Sequence, residues 1–342
     1  MLIKGKERIG ELFNKKKVVI TTHFKPDGDA LGSSLALYHW LKNKGLNTSV
    51  VVPSDYPSMI SWLPGNEKVI QYPQQKEFSQ KLIEEADLIF CLDYSSLKRT
   101  ECMSDVIAKA SAEKWMIDHH LDPDDFADVQ FWNNKAAATC QLLYTFITDL
   151  YQDEGNITAD IATCLYTGIV TDTASFRFRS VTSGLHHIAA DLIEKGVNNW
   201  EVHENLFNNN SENRLKFTGY CLANCLTVVP EYNTAYFIIS AETLKKYNIQ
   251  TGDTDGLVNY ALSIKGIKLA ALIVDRTKLI KLSLRSIGAI PCNEICQKHF
   301  NGGGHLNAAG GSSHTSLRET KEVFLSLLPE YKNILTEEKN QT

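Results

Sequence analysis

Short apolar runs separated by longer segments of helical periodicity recur along the first half of the chain. A β-branched run at 17–23 (KVVITTH) is followed by a turn-like FKPDGD segment and by a periodic stretch over 30–44. Similar short runs occupy residues 48–52, 87–93 (DLIFCLD) and 115–120 (WMIDHH). Their apolar positions are consecutive rather than alternating, which favours strands buried on both faces. The pattern predicts an α/β domain with a parallel, Rossmann-like sheet and flanking helices.

Helical periodicity continues in the middle of the chain and then gives way to a polar segment. The pattern predicts three helices, over residues 136–150, 159–170 and 184–194. Around 198–214 the composition becomes rich in asparagine, as is typical of a domain boundary. We therefore predict three parts of the chain: a first domain over 1–196, a linker over 197–218 and a second domain over 219–342.

The second half has a different pattern, in which strands pair as neighbours along the chain. Runs at 226–229 and 235–240 flank one turn, and runs at 267–275 and 279–286 flank another. Two further helices are expected, over 292–300 and 317–328. These elements predict a smaller mixed α+β domain.

Composition and charge restrict the partners that the chain can take. Among 342 residues, 43% are hydrophobic and 22% are charged, which is typical of a folded globular protein. The 35 basic and 40 acidic residues give a formal charge of −5, which disfavours binding of long duplex nucleic acid. No apolar stretch has the length of a signal peptide or a membrane span, and the eight cysteines are scattered, so we expect a cytoplasmic protein that does not act at a membrane.

Acids and histidines follow three of the predicted strands where these strands end. The residues concerned are His23, Asp27 and Asp29 after the first strand, Asp93 after the third, and Asp118, His119 and His120 after the fourth. Asp172, after the helix expected over 159–170, is a further candidate. The carboxyl ends of adjacent parallel strands converge on one crevice, so these residues are expected to meet there.

Such a cluster predicts a metal site. An aspartate after a strand is commonly a helix cap, and Asp29 would suit that role before the periodic stretch. Several carboxylates in one crevice, however, repel each other unless a cation neutralises them. Oxygen and nitrogen donors without a thiolate suit Mn²⁺, with Mg²⁺ as the alternative. Six ligands are too many for one catalytic ion with open positions, so we predict two divalent cations acting on a phosphorus centre.

Several motifs in this order resemble those of the DHH phosphoesterase superfamily. They are THFKPDGDALGS, the Asp93 of CLDYS, the Asp-His-His at 118–120, the Asp172 of TDTASFRF, SLRS at 283–286 and NGGGHLNAAGG at 301–311. The last two resemble the DHH-associated C-terminal domain. The chain departs from the family at Asn301 and Ala174, where glycine is common. Size and architecture resemble the RecJ-like, NrnA-type group of bifunctional oligoribonucleases and pAp phosphatases.

The resemblance implies a role for each matching residue. His23, Asp27 and Asp93 would hold one ion, and Asp29, Asp93, His119 and Asp172 the other, with Asp93 as the bridge. Asp118 would orient an imidazole. His119 and His120 point in opposite directions if the strand extends through them, so His120 is expected to contact the phosphate and to protonate the leaving oxygen.

The second domain is implied to recognise the substrate. Arg285 offers a fork of N–H donors to a phosphate, and Gly302, Gly303 and Gly304 allow backbone amides to approach an anion, with His305 beside them. A flexible turn is an equally good interpretation of these glycines taken alone.

The resemblance also implies the substrate class. Expected substrates are very short oligoribonucleotides, linear dinucleotides such as pApA or pGpG, and the nucleotide bisphosphate pAp. The alternatives are a cyclic di-AMP phosphodiesterase and a nucleotide sensor without turnover, and the sequence allows a homodimer.

Overall fold

The computed structural model of the protein describes residues 2–250 and 252–337. The chain divides into two compact units, Met1–Asn209 and Asn210–Thr342. Residues 338–342 of the predicted second domain lie outside the described residues. In the described part of the chain, no helix is both long and apolar enough to cross a bilayer.

The first unit contains a seven-stranded sheet. Its strands are β1 Leu2–Lys4, β2 Lys17–Thr21, β3 Asn47–Val52, β4 Val69–Gln71, β5 Leu88–Leu92, β6 Glu113–Asp118 and β7 Val129–Trp132. The strand order is β1-β7-β6-β5-β2-β3-β4. All neighbouring pairs are parallel except β1 with β7. The prediction of a mostly parallel sheet is therefore confirmed.

Helices cover both faces of this sheet. They are α1 Gly28–Asn43, α2 Lys76–Glu84, α3 Ser104–Lys109, α4 Thr139–Thr145, α5 Ala159–Asp172, α6 Ser183–Glu194 and α7 Asn199–Phe207. One apolar cluster includes Leu35 of α1 and Leu165 of α5, and a second includes Ile83 of α2 and Ile107 of α3. Every residue of the central strand β5 is buried, because helices pack on both of its faces.

The second unit is built on a six-stranded mixed sheet. Its strands are β8 Leu226–Val229, β9 Thr234–Ile239, β10 Leu269–Asp275, β11 Ile280–Ser286, β12 Gly303–His305 and β13 Ala308–Ser313. The strand order is β12-β13-β11-β10-β9-β8, and only β9 and β10 are a parallel pair. Both predicted hairpins are present, which confirms the mixed character of this unit.

Six helices accompany the second sheet in the described residues. They are α8 Glu212–Asn224, α9 Ala241–Lys246, α10 Leu257–Leu262, α11 Cys292–His299, α12 Leu317–Leu327 and α13 Lys332–Thr336. A capping box at Ser316 and Glu319 begins α12.

The segment predicted as a linker, 197–218, is mostly helical. It contains α7 and the first half of α8. Polar residues here cap helices: the Asn198 side chain accepts from the Glu201 N–H, and the Ser211 side chain accepts from the Arg214 N–H. Asparagine and serine are favoured at helix N-termini as well as in loops, so a polar composition did not distinguish the two.

Candidate metal centre

Three adjacent strands bring the histidines and Asp93 together. Asp93 directly follows β5, His23 lies just beyond β2, and His119 directly follows β6. Since β5 lies between β2 and β6 in the sheet, Asp93 lies between the two histidines. Asp93 has a φ of 63°, in the left-handed region that residues other than glycine adopt uncommonly, with asparagine and aspartate the most frequent among them. Residues other than glycine in this region cluster at functional sites.

The remaining aspartates come from the ends of two helices. Asp27 is the N-cap of α1, and its Oδ1 accepts from the Asp29 and Ala30 N–H groups at 3.1 Å. Asp27 thus takes the capping role that the sequence had suggested for Asp29. Asp172 is the last residue of α5, whereas the sequence placed it in the loop after that helix.

Asp29 is held by the start of another helix. Its Oδ2 accepts from the Thr139 N–H at 2.6 Å, and its Oδ1 accepts from the Cys140 N–H at 2.9 Å. These amides begin α4, so the predicted helix over 136–150 begins three residues late. A carboxylate at a helix N-terminus is stabilised by the helix dipole, and both oxygens of Asp29 are fixed in place.

Asp93 faces two imidazole–carboxylate groups, one on each of its oxygens. His23 Nε2 lies 3.4 Å from Asp93 Oδ2 and 3.9 Å from Asp27 Oδ1. His119 Nε2 lies 3.6 Å from Asp93 Oδ1, 3.2 Å from Asp172 Oδ2 and 3.8 Å from Asp29 Oδ2. Candidate ligand atoms of His23, Asp27 and Asp93 lie within 4.8 Å of one another, as do those of Asp29, Asp93 and His119. The structure thus brings together all six predicted metal ligands.

Backbone carbonyls orient the two imidazoles. His23 Nδ1 lies 2.9 Å from the Phe24 carbonyl oxygen, and His119 Nδ1 lies 3.2 Å from that of Ala136. A hydrogen bond from Nδ1–H to a carbonyl leaves Nε2 as the ligand atom, which is the usual arrangement at metal sites. Both Nε2 atoms face carboxylates, as the metal prediction requires.

Asp118 and His120 form a pair beside this cluster. Asp118 is fully buried, and its Oδ1 accepts from His120 Nδ1 at 2.8 Å. Asp118 Oδ2 has no hydrogen-bond partner among the described residues. Strand β6 ends at Asp118, before both histidines, so strand alternation does not separate His119 from His120. Their ring centroids lie 5.0 Å apart, and His120 Nδ1 is 3.6 Å from Asp93 Oδ1.

Crowding of buried carboxylates shifts the pKa values of the cluster. Burial, together with the charge of Asp93, raises the pKa of Asp29 to about 7. Burial also raises the pKa of Asp172 well above its usual value. Burial would raise the pKa of Asp93 as well, but the neighbouring imidazoles outweigh it and lower that pKa. Burial opposes charge on His119, yet Asp172, Asp93 and Asp29 raise its pKa to about 9.

The donor set fits a hard divalent cation. Carboxylate oxygens and imidazole nitrogens suit Mn²⁺ or Mg²⁺. The nearby Cys140 thiol, 3.7 Å from the Asp29 carbonyl oxygen, stays protonated because burial and Asp29 raise its pKa. Bound cations would replace the protons that the buried carboxylates otherwise retain. The arrangement is therefore that of a cluster of acids and histidines whose ligand atoms are placed so that they could hold a metal ion.

A glycine in α5 allows the close approach that positions Asp29. A Cβ on Gly168 would lie 2.3 Å from Cys140 Sγ and 2.8 Å from Asp29 Oδ1. Gly168→Ala is expected to displace the Asp29 carboxylate and to lower metal-dependent activity by about 10- to 100-fold, as for groups that orient metal ligands. The measurement is the rate of hydrolysis of a dinucleotide as a function of Mn²⁺ concentration.

Gly219→Ala is the matched control for this substitution. Gly219 lies in helix α8, and no atom lies within 4 Å of a Cβ built there. This variant should keep full activity and gain up to about 1 kcal/mol of stability. Full activity of Gly168→Ala would show that packing at this glycine does not set the position of Asp29.

The sequence analysis did not identify two residues of this region, Thr139 and Arg99. Thr139 Oγ1 donates to Asp93 Oδ1 at 2.9 Å. The sequence predicted a helix from residue 136, so Thr139 was expected inside that helix and not as its first residue. Burial and the guanidinium of Arg99 lower the pKa of His120. Both also oppose charge on His23, but Asp93 and Asp27 outweigh them and raise the pKa of His23. The available signal for Arg99 was its place six residues after Asp93, in the segment that follows the same strand.

The residues predicted in the second unit lie on one face of its sheet. Arg285 of β11 pairs with Ala308 of β13, and Ala308 pairs with His305 of β12. Directly paired residues share a face, so Arg285 and His305 lie on the same face, about 10 Å apart across two strand spacings. Buried Leu284 lies on the opposite face.

Two of the three glycines predicted to approach a phosphate, Gly303 and Gly304, belong to an edge strand and not to an open turn. Gly303–His305 form β12, which pairs with β13. A Cβ on Gly302 would lie 2.0 Å from the Gly310 carbonyl oxygen, and one on Gly304 would lie 2.6 Å from that of Ala308. Packing therefore accounts for two of the glycines, whereas a Cβ on Gly303 would meet open space.

Two family models match this chain, one in each of its units. The model of the DHH family N-terminal domain matches residues 17–169, and that of the DHHA1 domain matches residues 233–333. A bifunctional oligoribonuclease and PAP phosphatase NrnA from Thermus thermophilus is 32% identical over 298 residues, 86% of this chain and 83% of the relative.

Solved structures share the fold. An exopolyphosphatase-related protein from Bacteroides fragilis has a TM-score of 0.92 and 38% identity, over 97% of this chain and 98% of that chain. RecJ from Thermus thermophilus in complex with Mn²⁺ has a TM-score of 0.50 and 14% identity, over 98% of this chain and 56% of that chain, which shows a shared fold. The resemblance seen in the sequence motifs is confirmed: the chain belongs to the DHH family and carries both its N-terminal domain and the DHHA1 domain.

Proposed function

We propose that the protein is a metal-dependent phosphoesterase that degrades very short oligoribonucleotides and linear dinucleotides to mononucleotides and removes a phosphate from pAp. The observation that carries the proposal is the place of Asp93, whose two carboxylate oxygens face two separate imidazole–carboxylate groups. The relative named as an oligoribonuclease and PAP phosphatase supports the substrate class.

Two divalent cations, with Mn²⁺ preferred over Mg²⁺, complete the proposed site. His23, Asp27 and Asp93 would hold one, and Asp29, Asp93, His119 and Asp172 would hold the other. When bound, the cations neutralise the phosphate and lower the pKa of water for attack at phosphorus. The protein residues hold the ligand atoms in place through the backbone bonds to His23, His119 and Asp29.

We assign the phosphate contact to His120, with Asp118 as the residue that positions it. Burial lowers the pKa of His120, so its imidazole is neutral when no substrate is bound. A bound phosphate anion would raise this pKa, and the buried Asp118 carboxylate stabilises the resulting imidazolium. The protonated ring can then donate a proton to the leaving oxygen.

Replacing His120 by alanine should lower kcat by about 10²- to 10⁴-fold, the usual worth of a general acid. The bound Mn²⁺ content should not change, because the six proposed ligands remain. Asp118→Asn should produce a smaller decrease and shift the alkaline limb of the pH–rate profile. Normal turnover by His120→Ala with full metal content would remove His120 from the mechanism.

The second unit, which contains the domain predicted over residues 219–342, is proposed to bind substrate. Arg285 and His305 share one sheet face and would contact a phosphate, with Gly302, Gly303 and Gly304 bringing β12 backbone close to it. The formal charge of −5 favours short substrates over long duplexes.

Product analysis tests the substrate class. A labelled series of RNAs of two to ten nucleotides with Mn²⁺ should yield mononucleotides, fastest from the shortest members. Faster cleavage of cyclic di-AMP than of pApA would instead identify a cyclic dinucleotide phosphodiesterase. Binding of pApA without product release would identify a sensor.

A further inference from the structure

A cavity lies beside the proposed metal centre, along the same edge of the first sheet. It has a volume of about 470 Å³, within the range of small-molecule sites. Phe24 follows β2, Pro53 follows β3 and Pro73 follows β4, so its walls come from the carboxyl ends of three neighbouring strands. The metal centre uses the ends of β2, β5 and β6, and the two sites therefore share β2. Ligands of open α/β sheets bind at this edge.

The lining of the cavity is apolar with a few amide groups. Phe24, Pro53 and Pro73 supply its apolar surface. Gln74 Nε2 donates to Gln71 Oε1 at 2.8 Å, a bond that does not use the Gln71 amide nitrogen or the Gln74 side-chain carbonyl oxygen. A donor and an acceptor next to an aromatic ring suit a flat, polar heterocycle.

The charge of the cavity does not favour a phosphate as its occupant. Asp55 is the one ionised side chain in its lining, and its carboxylate is paired with the Lys25 ammonium at 2.6 Å. The Lys25 ammonium also lies 5.8 Å from the centroid of the Phe24 ring, so the cation beside this lining is one that Asp55 already neutralises. A neutral group attached to a phosphate could occupy it while the phosphate lies at the adjacent metal centre.

Phe24 is fixed in a position that connects the two sites. It directly follows the proposed ligand His23, and its carbonyl oxygen orients the His23 imidazole. Its N–H donates to the Arg99 carbonyl oxygen at 2.7 Å, and the next N–H, that of Lys25, donates to Ser54 Oγ at 2.8 Å. These backbone bonds fix Phe24 at the cavity, where its half-buried ring is also contacted by the Lys25 ammonium, 5.8 Å from the ring centroid.

We infer that this cavity binds a nucleobase of the substrate, stacked on Phe24, while the phosphate of the same nucleotide lies at the metal centre. The inference rests on the proposed function, because it assigns the base of a nucleotide that the first unit hydrolyses. Base stacking on an aromatic side chain is worth about 1–3 kcal/mol, so Phe24 would contribute to substrate affinity rather than to the chemical step.

An exposed thiol in the lining provides a test that does not require hydrolysis. Cys102 is exposed and lines the cavity, whereas the other described cysteines are buried or half-buried. The full chain with Mn²⁺ is treated with N-ethylmaleimide, and modification of Cys102 is followed by peptide mass spectrometry. AMP should slow this modification several-fold, whereas ribose 5-phosphate, which lacks the base, should not.

Two controls separate base binding from other effects. Modification of Cys225 in the second unit should not respond to AMP. Phe24→Ala should abolish the protection of Cys102, and Phe78→Ala, which removes an exposed ring from α2, should keep it. Absence of protection by AMP, or equal protection by ribose 5-phosphate, overturns the inference.

Kinetics provide a second measurement. Phe24→Ala should raise the KM for pApA by about 5- to 150-fold and leave kcat within a few-fold, as loss of one stacked base predicts. A decrease in kcat with unchanged KM would overturn the inference. If the unaltered protein protects Cys102 with AMP but does not hydrolyse pApA, the proposed function fails and the cavity assignment stands.

Discussion

Replacing Asp93 by asparagine is expected to reduce Mn²⁺-dependent hydrolysis by about 10³-fold or more, since loss of several kcal/mol of metal stabilisation corresponds to such a factor. Asp93 faces both imidazole groups, so its loss weakens both proposed ion sites. Asparagine has the same shape and tolerates the left-handed φ of 63°, so the fold should persist. Steady-state rates and bound Mn²⁺ per chain measure the effect.

Asp122→Asn is the matched control for this prediction. Asp122 also has a positive φ, of 51°, but it is exposed and lies outside the cluster. This variant should retain normal rates and normal Mn²⁺ content. An Asp93→Asn enzyme that keeps both metal content and turnover would refute the role of Asp93.

Removal of the cations is expected to destabilise the protein progressively as the pH rises. Asp29, with a pKa of about 7 in the folded state, retains a proton that the unfolded chain releases near pH 4. His119, with a pKa of about 9, likewise retains a proton that the unfolded chain releases near pH 6.5. The folded state thus binds more protons than the unfolded state, and its stability falls as the pH rises through these values. The free energy of unfolding should decrease by on the order of a few kcal/mol between pH 5 and pH 9.

Thermal unfolding in chelator and in Mn²⁺ checks this dependence. The chelated protein should show a falling Tm from pH 5 to pH 9, and Mn²⁺ should raise the Tm most at high pH, because the metal binds deprotonated ligands. His119→Gln should flatten the curve between pH 6.5 and pH 9. Equal effects of Mn²⁺ at pH 5 and pH 9 would contradict the coupling of cation and protons at this cluster.

The core of the fold was predictable because its strands are strongly apolar. β2, β3, β5 and β6 each contain at least three consecutive apolar residues, and burial on both faces produces that pattern. β1, β4 and β7 were missed, since strands of three or four residues have too few positions to show a period.

The cluster was predictable for a different reason. Parallel strands align their carboxyl ends, so acids and histidines that end separate runs were expected to meet. What could not be predicted is which backbone groups hold each side chain. The bonds from Thr139 and Cys140 to Asp29 depend on where α4 begins, and nothing local in the sequence marks that residue.

The two departures from the family motifs have a structural context. Asn301 has a φ of 46° and Ala174 a φ of 49°, both in the left-handed region where glycine is unstrained. Asparagine tolerates this conformation better than alanine does. The common glycine of the family at these positions is therefore explained by backbone conformation.

Anomalous diffraction from crystals grown with Mn²⁺ tests the central claim most directly. The account predicts two manganese peaks per chain with Asp93 as a ligand of both, one peak also on His23 and Asp27 and the other on Asp29, His119 and Asp172. A single peak, or peaks that do not contact Asp93, would contradict it.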